Sequence, residues 1–154
     1  MLRELEKLSS SELDSLAKSP MLVCILIAGA DSQIDNKEIN SAIDLAKKGK
    51  AKASVAEFYR TASEDFEDKL KIILQGLPFE SVKRNAVISD ELSQLNTILP
   101  KIDPRFAMDF YDSLRYIAKK IAESSGGLLG IKSIGEEEMK LVSLPMIKFK
   151  SIKE

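Results

Sequence analysis

The sequence predicts an all-α protein, a single-domain bundle of about seven or eight helices. Apolar residues recur with a 3.6-residue period along almost the whole chain, and alternating β-branched runs between turn signals are missing. The chain has 154 residues, 44% hydrophobic and 31% charged, enough to bury one core without disulfides. One domain, 1–154, is therefore expected, with residues 146–154 as a basic tail and a candidate mobile segment.

The elements follow in order. Leu2, Leu5 and Leu8 make a short first helix, and Leu13 and Leu16 mark a second after the serine run at 9–11. Ser19 and Pro20 read as an N-cap and first helical residue, launching a buried helix from Met21 to about Ala30. Asp35 to about Lys48 forms the next helix, with Ile39, Ala42, Ile43 and Ala46 on one face and Gly49 as its stop. KGKAKAS is a solvated connector, followed by a short helix from Ala53 to Tyr59. Ser63 to Gln75 carries Phe66, Leu70, Ile73 and Leu74 and is closed by Gly76 and Pro78.

From Phe79 to Leu99 the positions Val82, Ala86, Leu92, Leu95 and Leu99 continue the period, with ISDE at 88–91 as a candidate break. Pro100 and Pro104 frame a turn, and Asp103 caps a long helix through Phe106, Phe110, Leu114, Ile117 and Ile121. Four of the seven glycines then lie between Gly126 and Gly135, a stretch that cannot be helical throughout. A last helix runs from about Glu136 to Leu144 and ends at Pro145.

Composition excludes several kinds of chemistry. Lys and Arg number 23 against 24 Asp and Glu, a balance that points to neither nucleic acid nor an anionic membrane as partner. The chain has no His, which removes Ser-His-Asp and Cys-His catalysis. Its single cysteine, Cys24, sits in the apolar run MLVCILIA, so it reads as a buried core thiol and no zinc site can be built from cysteines. That run is too short for a transmembrane segment, and residues 1–19 are charged and amphipathic, unlike a signal peptide; a cytoplasmic protein is expected.

The residues that invite chemistry are acidic. GADSQIDNKE, residues 29–38, packs Asp31, Asp35 and Glu38 into one short turn. Asp35 and Glu38 have capping-box spacing, whereas Asp31 closes a helix, where the dipole disfavours an anion by about 0.3–1 kcal/mol. A weak two-fold repeat at an offset of 100 matches Ile34, Glu38, Ile39 and Ala42 to Ile134, Glu138, Met139 and Val142, and sets Glu123 in the place of Asp31. An EF-hand does not fit: the Gly needed at position 6 is Asn36, and the Glu needed at position 12 is Ala42. A cation shared between the copies would relieve the repulsion, and oxygen ligands alone favour Ca²⁺, Mg²⁺ or Mn²⁺. GGLLG lacks the spacing of a phosphate loop and precedes three glutamates, so it reads as a structural or docking loop whose Leu128, Leu129 and Ile131 tuck into a groove or meet a protein partner.

GADSQIDNKEI resembles the ADG-x-I-x-x-x-E signature of tellurite-resistance TerB-like domains, and ESSGGLLGIKSIGEEEMKLV resembles the glycine-rich GG-x-LG loop and S-x-E-E helix start of many bacterial members. Ser32 and Gly135 depart from that pattern. The resemblance spans about residues 20–145 and implies an all-α bundle of two pseudo-equivalent halves, a stress or tellurite-response role outside the enzyme classes, and an acidic cluster for a divalent metal. Carried over by position, the cluster is Asp31, Asp35, Glu38, Glu123, Glu137 and Glu138. The alternatives are a metal-assisted hydrolase, with clustered carboxylates holding two ions, and a structural interaction bundle without metal.

Overall fold

A computed structural model describes residues 5–28, 57–59, 66–127 and 141–148. Every regular element among them is helical, which makes the protein all-α over this span. We number the α-helices α1 (Ser10–Ala28), α2 (Phe66–Gln75), α3 (Ser81–Ser93), α4 (Leu95–Ile98) and α5 (Pro104–Gly127), with a 3₁₀ turn at Leu99–Lys101 between α4 and α5. Residues 57–59 and 141–142 are also helical. The expected helix from Asp35 to Lys48, the KGKAKAS connector at 48–54 and most of the second acidic stretch lie outside the described residues.

The two helices expected from Leu13 and from Met21 are one. Its true N-cap is Ser9, whose Oγ accepts from the Glu12 amide at 3.2 Å while Glu12 Oε1 accepts from the Ser9 amide at 3.0 Å, a reciprocal capping box. Ser19 therefore caps nothing. It lies mid-helix, and its hydroxyl donates to the Leu16 carbonyl at 2.7 Å. In an unbroken helix that carbonyl would receive the N–H of residue 20, which Pro20 lacks. The serine supplies the missing donor, and α1 continues through the proline.

From Ser19 to Leu26 every residue of α1 is buried, so the helix is enclosed on all sides, as expected of the middle of a core. It packs along α5 and against α3 and α4. The apolar positions of α5 are those expected: Phe106, Phe110, Leu114, Ile117 and Ile121 are all buried. Asp103 caps the helix, its Oδ1 accepting from the amides of Arg105 at 2.8 Å and Phe106 at 3.3 Å. Phe58, Tyr59, Phe106 and Phe110 form an aromatic cluster against this face, with the Phe58 and Phe110 centroids 5.2 Å apart and nearly perpendicular. The Ser113 hydroxyl donates to the Phe110 carbonyl at 2.6 Å, which leaves Tyr59 as donor in its 2.5 Å bond to Ser113.

Two electrostatic and polar clasps close the bundle. Glu12 Oε2 meets Lys101 Nζ at 2.5 Å, joining the start of α1 to the 3₁₀ turn. The Lys101 ammonium first, and then the Ser9 amide, hold the Glu12 carboxyl below its ordinary value of 4.5. The stability this adds is fully present above the unfolded pKa and is lost as pH falls through the folded one. Glu12→Gln should thus lower the Tm at pH 7, and its difference from wild type should shrink as the pH is taken below 4.5. A constant difference from pH 7 to pH 3 would assign the effect to packing instead.

The second clasp is Asn96, whose Nδ2 donates to the Met146 carbonyl at 3.0 Å and whose Oδ1 accepts from the Lys148 amide at 2.7 Å. Ile147 between them is buried, so the first residues of the segment expected as a tail are packed onto α4. The last helix ends at Val142, two residues short of the expected Leu144, and Leu144 itself adopts φ 53 while its side chain is fully buried. Such a position ordinarily takes glycine. Here the leucine fills the core from a left-handed turn, its N–H bonded to the Leu141 carbonyl at 2.9 Å.

Candidate functional site

The acidic residues singled out above are divided by what the structure describes. Asp31, Asp35, Glu38, Glu137 and Glu138 lie outside the described residues. Glu123 lies on the backbone of α5, which runs on to Gly127, so it is inside the helix with four helical residues after it. The expectation that this helix stops near Glu123 is corrected: ESSGG stays helical, two glycines included. Among the described residues no group of three or more His, Cys, Asp or Glu is placed to hold a metal ion. Of the eight matched repeat positions only Val142 is described.

Cys24 is fully buried, and burial pushes its thiol pKa well above the ordinary cysteine value, as a core role requires. Tyr59 is likewise buried, and desolvation raises its phenol in spite of the Ser113 hydrogen bond. Neither group is available as a nucleophile or acid at neutral pH.

The described surface does present exposed large apolar side chains, among them three near the start of α3. Phe79 is 92% exposed, Val82 72% and Val87 38%. This corrects the expected phase of the 79–99 segment, since Val82 and Ala86 face solvent. At 100° per residue, Val82, Lys83, Ala86, Val87 and Asp90 fall within an arc of about 140°, opposite the buried Arg84, Ile88, Leu92 and Leu95. Those four have the better helical spacing, and trying both phases would have found them. Burying an arginine in an otherwise aliphatic stripe hid the pattern.

Arg84 also explains the display of Phe79. Its Nη1 donates to the Phe79 carbonyl at 3.0 Å, and its backbone N–H bonds to the Glu80 carbonyl at 2.8 Å. Preceding this, Gly76 ends α2 by bonding to the Ile72 and Ile73 carbonyls at 3.3 and 3.1 Å, the stop expected at Gly76 and Pro78. The α2–α3 corner is thus pinned from within, and the Phe79 ring projects from a backbone whose carbonyl is fixed.

A second apolar feature is a cavity of about 270 Å³ between α1 and α2, lined by Ala17, Met21, Ile72 and Ile73 together with Asp14, Lys18 and Lys69. Small-molecule sites begin at about 300 Å³ and bury most of their ligand. This cavity suits a single side chain better.

No protein-family model, curated protein or solved structure matches the chain. No described helix is long and apolar enough to cross a membrane.

Proposed function

We propose that the protein is a non-enzymatic helical docking module that receives a protein partner on the exposed face of α3 and the adjoining Phe79 corner. The observation that carries this reading is the 92% exposure of Phe79 at a corner fixed by Arg84, continuous along the chain with exposed Val82. An aromatic ring held out to water on a rigid support loses little further freedom on binding, which is the property of an interface anchor. With a photoreactive benzoylphenylalanine in place of Val82, irradiation should give a discrete protein adduct, and the same group at exposed Lys119 on α5 should give none. Equal labelling from both positions, or none from either, would sink the reading.

The acidic cluster of Asp31, Asp35, Glu38, Glu123, Glu137 and Glu138 enters the same proposal as a site for Ca²⁺, Mg²⁺ or Mn²⁺, in keeping with a TerB-like stress-response role. Asp31, Asp35 and Glu38 in one stretch and Glu137 and Glu138 in the other set like charges close together in sequence, and oxygen ligands alone suit a hard divalent ion. Calorimetry should detect binding of one of the three ions, lost in the Asp31→Asn, Glu138→Gln double variant. Absence of heat and of thermal shift with all three would remove the metal from the function and leave the docking surface standing.

A further inference from the structure

We propose that the partner on the α3 face is a second copy of the chain, paired antiparallel about a two-fold axis between Ala86 and Val87. This rests on the docking reading above and gives that surface its occupant. Charge complementarity within one helix points to that occupant. The exposed arc carries an apolar centre, Ala86 and Val87, with Lys83 on one side and Asp90 on the other, each three and a half residues from the midpoint. A two-fold axis places residue i opposite residue j and j opposite i. Rotating α3 onto itself about that midpoint brings Lys83 to Asp90 of the second copy twice over, while Ala86 meets Val87.

Parallel pairing would set Lys83 on Lys83 and Asp90 on Asp90, a like-charge arrangement. The antiparallel register is thus the one the charges select. Small Ala86 at the crossing lets the two helices approach closely. Lys83 is available for such an exchange: its side chain is 75% exposed, and its pairing with Glu80 in the same chain is loose at 3.9 Å. Phe79 extends the apolar surface beyond the end of the helix, across the second copy's Gln94.

A 13-residue helix and one ring make a small interface. It falls among those burying less than about 1,200 Å², which associate weakly and reversibly. Sedimentation velocity on the full chain should therefore show a monomer–dimer equilibrium that shifts toward dimer between about 10 and 500 µM. Lys83→Glu and Asp90→Lys should each weaken it tenfold or more, by setting like charges opposite one another twice. The double variant, with the charges exchanged, should recover it to within about threefold. Both substitutions are on exposed positions, so the Tm values of all three variants should match wild type.

A wild-type chain that stays monomeric at 500 µM overturns the proposal, and so does a dimer that ignores both single substitutions. A monomer that still forms the Val82 adduct with a different protein overturns self-pairing and leaves the docking reading intact. Loss in the single variants with recovery in the double one is the result expected.

Discussion

Phe110→Ala should lower stability by about 3–5 kcal/mol, the cost of deleting a fully buried phenylalanine. The ring has no solvent exposure and touches three other aromatic rings: Phe58 at 5.2 Å, Tyr59 at 5.9 Å and Phe106 at 6.0 Å between centroids. Each such contact adds about 0.5–1.5 kcal/mol beyond area burial, so the loss should lie toward the upper part of the range. Phe58 comes from a segment distant in sequence and Phe106 from the preceding turn of the same helix, so the cavity cannot be closed by shifting one element. Against a total of about 5–15 kcal/mol the variant retains little margin. Thermal unfolding should show a drop of about 6–20 °C, at roughly 2–4 °C per kcal/mol for a chain of this size. Phe79→Ala is the matched control, since that ring is 92% exposed and its removal should change stability by less than about 0.5 kcal/mol. A Phe110 effect no larger than the Phe79 effect would refute the aromatic cluster.

The second large effect is conditional. Ser19→Ala should cost about 1–3 kcal/mol, because it strips the Leu16 carbonyl of its donor inside the core. The same change in a Pro20→Ala background should cost under about 1 kcal/mol, since alanine restores the backbone N–H that the serine replaces. The quantity to measure is the coupling in a double-mutant cycle, read from denaturant midpoints at constant slope. Ser19 costs that are equal in the two backgrounds would show that the hydroxyl serves something other than the proline gap.

These two sites illustrate what a linear reading can reach. The α5 core face, the Asp103 cap, the Gly76 stop and the buried state of Cys24 were all legible, because each depends on spacing or on a residue's intrinsic chemistry. The Ser19-Pro20 pair was misread as a helix start for a physical reason. A serine before a proline has the same local chemistry whether its hydroxyl points forward to free amides or back to an orphaned carbonyl. Only the packing of α1 against α5 keeps the backbone helical on both sides and selects the second. The true start, Ser9 with Glu12, was hidden in a run of serines in which three residues could cap.

In the 79–99 segment the error was of phase. Val82 and Ala86 share the period of the core residues but stand on the other side of α3, and the buried Arg84 masks the real stripe. An expected break at ISDE is not found; α3 gives way to α4 at Gln94, which itself keeps helical angles of −64° and −22°. Of the acidic residues, only the position of Glu123 on α5 is described, and the candidate site that emerged is apolar. Apolar surface residues leave no compositional trace, because a valine that faces water and one that faces the core are the same letter.

Asn96 carries one more consequence. A side-chain amide presents a donor and an acceptor in the same plane as a peptide group, so to Met146 and Lys148 it serves as one rung of a neighbouring strand. Among the described residues this segment is held to α4 by the two Asn96 hydrogen bonds, with the Ile147 side chain buried between them. A fastening of this kind releases as a unit: residues 146–148 can part from α4 in one short-lived event while the described helices stay wound. In hydrogen-exchange terms the Lys148 amide should open far more often than the amides at the core of α5, so the two run on separate clocks.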